Sequence, residues 1–382
     1  MNDLYLIGNG FDLAHGLETS YNHFLLWYLN DFLKNFWQKD HFEDELMTID
    51  RMGARWHFPD KFDTIPNLIQ FLEQYQYKRK AKCDFFEKII KNYRDYKWVD
   101  IEYEYYMALV NFYKKLNKVE DINEGTDIEK QKKEKEKEQI AKSLEDLNNC
   151  FTFILNKLEE YLDFARKKPF DKIMQIEEIL FEEAGTPETR EIEYFKEISE
   201  KNSEKFIEEK LFVSFNYTAT MESYLRNSKH EKNLIYIHGE LNDPSNPVIF
   251  GYGDEMDPHY EKIENLNNNE FLKNIKSFNY FKTDNYQKVI RFIEGVDREY
   301  TVKVLGHSCG LSDRILLNTI FEHPNCIAIK IYYYQKSETE NDYFEKTQEI
   351  SRHFKASMKG EMRKKIVPFE QSIPLPQNPK DN

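Results

Sequence analysis

Leu4-Tyr5-Leu6-Ile7-Gly8-Asn9-Gly10-Phe11-Asp12 opens the chain with a short apolar run that stops at a glycine turn. A run of this length reads as a buried parallel strand, and the turn after it as the entry to a helix. Four later runs end in the same way. Residues 211–215 meet Asn216-Tyr217-Thr218, and 234–237 meet His238-Gly239-Glu240. Residues 248–250 meet Gly251-Tyr252-Gly253-Asp254, and 301–305 meet Gly306-His307-Ser308-Cys309-Gly310, with Asp313 just beyond. In an open parallel sheet the ligand lies outside the carboxyl ends of the strands. Glycine lets the backbone approach it there, and polar side chains are placed to act on it. Five such ends point to one shared site.

The spacing also predicts how the chain is divided. Residues 1–20 carry the first strand and its glycine turn, and 21–210 form a helical insertion. Residues 211–335 supply the rest of an α/β domain, including a strand at 326–333. Residues 336–382 form a C-terminal helix and an extended, poorly ordered tail. Tyr21, Phe24, Leu25, Tyr28, Phe32 and Phe36 recur at helical spacing behind Thr19 and Ser20, which can cap the start. Further helices are expected at 66–77, 82–96, 100–118, 128–166, 170–184 and 189–209, then at 265–280 and 286–294. The Lys- and Glu-rich stretch 129–138 reads as a solvated face.

Composition narrows the class. The 382 residues include 29 Phe and 25 Tyr, enough large side chains to fill a helix-rich interior. A formal net charge of −14 disfavours nucleic acid and anionic membrane as partners. Four cysteines without CxxC spacing read as reduced thiols of a cytoplasmic protein, with no metal site. No secretory signal or membrane span is expected from the hydropathy pattern.

Each cluster admits a bland reading beside a functional one. Gly8-Asn9-Gly10-Phe11 between strand and helix can present N–H groups to a phosphate, or it can be a tight turn with Asp12 as a cap. Leu13 stands where a full dinucleotide fingerprint has its third glycine. Asn216 can hold a ribose hydroxyl or orient water, or simply make a turn. His238 at a strand end is a candidate general base, since imidazole titrates near neutrality. Gly306–Gly310 matches a Gly-x-Ser-x-Gly nucleophile elbow around Ser308, with Asp342 and His353 as later partners. The other reading has Gly306, His307 and Ser308 contacting ribose or phosphate, with Asp313 reading hydroxyls. Glu102, in Trp98-Val99-Asp100-Ile101-Glu102, is either part of a helix start or a carboxylate beside the cleft. Lys282-Thr283 can supply a cation to phosphate.

The run 6–17 resembles the opening signature of the AbiH-like family of bacteriophage abortive-infection proteins. Further matches are residues 98–102, Phe215-Asn216-Tyr217-Thr218, His238-Gly239, Phe250-Gly251, Lys282-Thr283 and the Gly306-to-Asp313 segment, in the family's order. That family is distantly similar to the sirtuin-like NAD-binding fold. The resemblance implies a Rossmann-like, mostly parallel α/β sheet split in sequence by a large helical insertion. It also implies a glycine turn at Gly8 and Gly10 on the pyrophosphate, Asn216 assisting cleavage and His238 as base. Tyr217, Gly239, Gly251 and Gly306–Ser308 would line the nucleotide. The zinc-binding cysteine quartet of sirtuins is missing, which argues against protein deacylation. The expectation is an antiphage effector that binds NAD or a related nucleotide as substrate and hydrolyses its N-glycosidic bond, with Asn216, His238 and Glu102 catalytic and no prosthetic group. A non-catalytic nucleotide sensor and a metal-dependent nuclease or other hydrolase through Asp12, Glu102 and Asp313 are the alternatives. A phage protein as trigger and self-association are further partners left open.

Overall fold

Four of the five glycine- or polar-capped runs, and the run after them, pair into a parallel sheet in the computed structural model. The strands are β1 (Asn2–Ile7), β5 (Lys210–Ser214), β6 (Leu234–Tyr236), β7 (Tyr300–Leu305) and β8 (Cys326–Tyr332). Their order is β6-β5-β1-β7-β8, every neighbour parallel, with Leu4 opposite both Leu211 and Val302. The structure describes residues 2–37, 39–52, 59, 61–96, 99–121, 126–182, 209–295 and 299–378. The helix expected at 189–209 and Trp98 lie essentially outside these.

Contacts divide the chain into two units. The first comprises Met1–Thr19, Ala165–Ile249 and Ser277–Asn382, and the second Ser20–Phe164 and Phe250–Lys276. The sequence reading had assigned all of 21–210 to one insertion, whereas 165–182 and 209–210 pack with the sheet.

Both faces of the first unit's sheet are covered, which is why β1, β5 and β7 read as unbroken apolar runs. Side chains alternate between the faces. Leu4, Leu6, Val213, Val302, Val304 and Ile329 face the helices Asn285–Ile293, Arg314–Glu322 and Tyr343–His353. Tyr5, Ile7, Phe212 and Leu305 face the helices Asn9–Ala14, Met174–Phe181 and Thr220–Leu225. The tail is more ordered than its prolines imply. Leu375 is buried against the second face, its N–H donates to Tyr333 O at 2.8 Å, and Asn378 N–H reaches Ala14 O at 2.9 Å.

Residues 248–250 do not form the expected strand. Ile249 N–H donates to His238 O at 2.8 Å, a single bond rather than a ladder. The three-residue β6 offers little edge, and Pro247 lacks a donor. The helix expected at 265–280 is broken into short turns, Asn269–Phe271, Lys276–Asn279 and Tyr280–Lys282.

The second unit is built on helices Tyr21–Phe36, Ile65–Gln74, Asp84–Tyr96, Ile101–Glu120 and most of Asp127–Ala165. Ser20 caps the first, accepting from His23 N–H at 3.3 Å. Stacked and tilted rings fill its interior: Tyr105 on Phe151 at 4.1 Å, Phe151 on Phe250 at 4.9 Å and Tyr106 on Tyr252 at 4.2 Å. It also holds a small antiparallel sheet, β2 (His41–Glu43), β3 (Met47–Asp50) and β4 (Lys78–Ala81), that the sequence did not announce.

Candidate functional site

At the carboxyl edge of the first unit's sheet, chain order reverses beside β1. The two loops that meet there, after β1 and after β7, are those with the densest glycine. Gly8 N–H donates to Leu305 O at 3.1 Å, Gly10 N–H to Gly306 O at 2.8 Å and Phe11 N–H to Gly8 O at 2.9 Å. A Cβ on Gly8 would stand 2.4 Å from His307 Cα, and one on Gly10 2.8 Å from Gly306 Cα. Gly306 has φ +69 and a Cβ there would lie 2.2 Å from Phe11 N. These glycines let two loops interlock, and three of the turn's N–H groups are spent inside the protein.

Asn216 ties the next strand to this junction. Its Nδ2 donates to Gly8 O at 3.0 Å. Two residues on, Thr218 Oγ1 donates to Asp12 Oδ2 at 2.6 Å. Asp12 is 1% exposed, and its Oδ1 has no hydrogen-bond partner among the described residues. Burial pushes its carboxyl up to about 6, and the side chains of Thr218, Thr220, Asn216 and Thr19 only partly offset this. Asn9 accepts from Thr19 Oγ1 at 2.6 Å. Asp12 is therefore a buried acid held by hydroxyls and not a helix cap.

A second cluster is built from residues that follow β6 and β7. His238, just after β6, places Nε2 3.1 Å from Asp313 Oδ1, and the Tyr280 hydroxyl stands 3.4 Å from the same nitrogen. His307 Nε2 lies 3.6 Å from Asp313 Oδ2, while its Nδ1 accepts from Cys309 N–H at 3.0 Å. An Nδ1 that accepts puts the proton of the neutral ring on Nε2, toward the carboxylate. One buried aspartate thus faces two buried imidazoles. Phe215 packs on both, its ring centroid 5.1 Å from His238 and 4.0 Å from His307. Tyr217 lies 6.3 Å from His238 and donates to Ile249 O at 3.0 Å, and Gly239 takes φ +83 against Pro247. An imidazole oriented by a carboxylate can take and return a proton, so this pair has the chemistry of a general base.

Asn216, His238, Asp12, His307 and Asp313 are thus assembled at the edge of one unit. Glu102 and Gly251 belong to the other. There Glu102 Oε1 accepts from Gly251 N–H at 3.0 Å, and Lys276 Nζ pairs with it at 3.0 Å. Gly251 is pressed on Asn274, whose carbonyl oxygen a Cβ would meet at 2.1 Å. Glu102 therefore holds its own unit together, and the sequence showed nothing of Lys276 as its partner.

The elbow reading of Ser308 does not survive the geometry. Ser308 lacks the left-handed backbone, which Gly306 and Cys309 take at φ +69 and +54, and His353 Nε2 donates to Cys309 O at 2.8 Å. Asp342 accepts from Tyr334 N–H at 2.6 Å. Lys282 is exposed, and Thr283 Oγ1 accepts from Asn285 N–H at 3.4 Å. Among the described residues no group of three or more His, Cys, Asp or Glu is placed to hold a metal ion, and no helix is long and apolar enough to cross a membrane. An open polar groove of about 300 Å³ runs along β6, but Asp12, Asn216, His238 and Asp313 do not line it.

Sequence reasoning missed Thr218 as the partner of Asp12, Phe215 as the wall between the imidazoles, and Tyr280. Thr218 and Phe215 flank Asn216 and could have been found from that motif. Tyr280 carried no signal.

Comparison with curated proteins and with solved structures finds no match. The family model described as "Bacteriophage abortive infection AbiH" matches residues 4–335, a span that runs from β1 past β8 and takes in every residue of the edge cluster. The chain belongs to the bacteriophage abortive infection AbiH family.

Proposed function

We propose that this chain is an abortive-infection effector that binds a nucleotide at the carboxyl edge of its Rossmann-like sheet and hydrolyses an N-glycosidic bond, with NAD as the substrate. The observation that carries the reading is the His238–Asp313 pair at 3.1 Å, beside Asn216 and the β1 turn. In this reading water attacks the ribose carbon that bears nicotinamide. His238 takes the proton of that water, Asp313 orients the ring, and the electrons of the broken bond leave on the neutral nicotinamide nitrogen. Asn216 positions the ribose, while Asp12 and His307 face its surroundings. Gly8 and Gly10 act as spacers between loops rather than as phosphate donors, because their N–H groups are engaged. Glu102 has no role in this scheme.

The test is nicotinamide release from NAD by the purified full chain, followed by chromatography. The wild type should turn over, and His238→Ala should lose roughly 10²–10⁴-fold, the usual contribution of a general base. No release by the wild type, or unchanged turnover in His238→Ala, overturns the proposal.

A second reading has the cleft sensing a nucleotide without turnover. It is favoured by the burial of Asp12, Asn216, His238, His307 and Asp313, all at most 7% exposed. Mass spectrometry of ligand retained through purification separates the two, since an intact nucleotide at one per chain supports sensing.

A further inference from the structure

The four cysteines fall into two classes. Cys309 and Cys326 are sealed in the first unit, at most 1% exposed, and burial pushes each thiol up to about 12. Cys83 and Cys150, both in the second unit, are a pair. Cys83 is partly exposed and immediately precedes the thirteen-residue helix Asp84–Tyr96, while Cys150 lies within Asp127–Ala165 and is 6% exposed.

Independent contacts bring the two together. Lys82 N–H donates to Leu46 O at 2.8 Å, and Cys150 Sγ donates to Glu45 O at 3.8 Å, so Cys150 and the residue preceding Cys83 meet adjacent residues of one loop. The neighbouring rings Phe85 and Phe151 pack with centroids 6.2 Å apart. The neighbouring Cys150 side chain, followed by the N–H groups of Phe86 and Phe85, holds the Cys83 thiol below its ordinary value, whereas Cys150 is raised. A helix start and a donor beside a partly exposed sulfur are the surroundings of reactive cysteines.

We propose that Cys83 and Cys150 form a peroxide-sensitive dithiol that closes to a disulfide within the second unit. The Cys83 thiolate attacks one oxygen of hydrogen peroxide. The O–O bond breaks, sulfur loses two electrons to give a sulfenic acid, and hydroxide leaves. Cys150, giving its proton to that hydroxide, then attacks the Cys83 sulfur. The S–S bond forms as the S–O bond breaks, and the sulfenic oxygen leaves as hydroxide, which takes up the proton Cys83 released on ionising and becomes water. Two thiols and one peroxide become one disulfide and two waters. The closed form ties the start of one helix to the middle of another.

The experiment treats the full chain with hydrogen peroxide, blocks remaining thiols with iodoacetamide and digests with trypsin. The expected product joins peptides 83–88 and 143–157, is two hydrogens lighter than their sum, and disappears on reduction. Without peroxide, Cys83 should alkylate at least roughly tenfold faster than Cys309 or Cys326. In Cys150→Ser, Cys83 should stop at a sulfenic acid that dimedone traps. Cys83 over-oxidised beside a free Cys150, crosslinks running to Cys309 or Cys326, or equal alkylation rates would overturn the assignment. The wild-type digest alone decides the pairing, so a poorly folding variant does not remove the test.

Discussion

Replacing Asp12 by Asn should erase a pH dependence of stability that one buried carboxyl creates. Asp12 is raised from 3.8 to about 6, chiefly because burial penalises its charged form, and it is almost wholly buried, so solvent screening does not dilute the effect. A folded value above the unfolded one means that the native state binds the proton more tightly. The contribution is therefore fully present below about pH 4 and is lost as pH rises through about 6. At 1.36 kcal/mol per unit, the whole span is worth about 3 kcal/mol, of which about 1.4 kcal/mol falls between pH 5 and pH 8. Urea unfolding of wild type and Asp12→Asn at both pH values reads it as a difference of differences. Other titrating groups are shared by the two proteins and cancel. Relative to the variant, the wild type should be the more favoured at the lower pH by that amount. A difference that stays flat, or that grows toward alkaline pH, would refute the assignment of a buried, uncompensated acid to this turn.

Two further outcomes test the frame around it. Gly306→Ala forces a left-handed backbone and drives a Cβ to 2.2 Å from Phe11 N, so it should cost at least about 2 kcal/mol in thermal or urea unfolding. His353 is fully buried and lowered from 6.5 to about 4, first by desolvation; it contributes stability above pH 6.5 that is lost as pH falls toward 4, about 3 kcal/mol in all. His353→Gln should flatten that acid limb in a pH series of melting curves, and an unchanged limb would count against it.

What could be read from the sequence was what depends on neighbours in the chain. Strands buried on both faces are continuous apolar runs, so β1, β5 and β7 were visible, and with them the polar residues that follow each. Asn216, His238 and Asp313 lie at one edge because a parallel sheet gathers its carboxyl ends whatever the loops contain. The failures came from long-range pairing. Val248 to Phe250 has strand composition but no ladder to join. The strands β2 to β4 are only three or four residues long and largely polar, so pairing rather than pattern defines them. Glu102 stands out in the sequence as one of several carboxylates interleaved with apolar residues, while the Lys276 that engages it lies 174 residues away. Gly8 and Gly10 stood out in the sequence, but a glycine serving a ligand and one serving another loop look alike in one dimension.

The central position of β1 has a consequence for biosynthesis. β1 is made before the other strands of its sheet, yet the strands that flank it, beginning at Lys210 and Tyr300, are made some 200 and 300 residues later. At roughly 5–20 residues per second this strand must wait about 10–40 s, its edges unpaired, before the first companion exists, and about 15–60 s for the second. Nascent chains arrested before about residue 300 therefore lack β7 and β8, two of the five strands of the sheet.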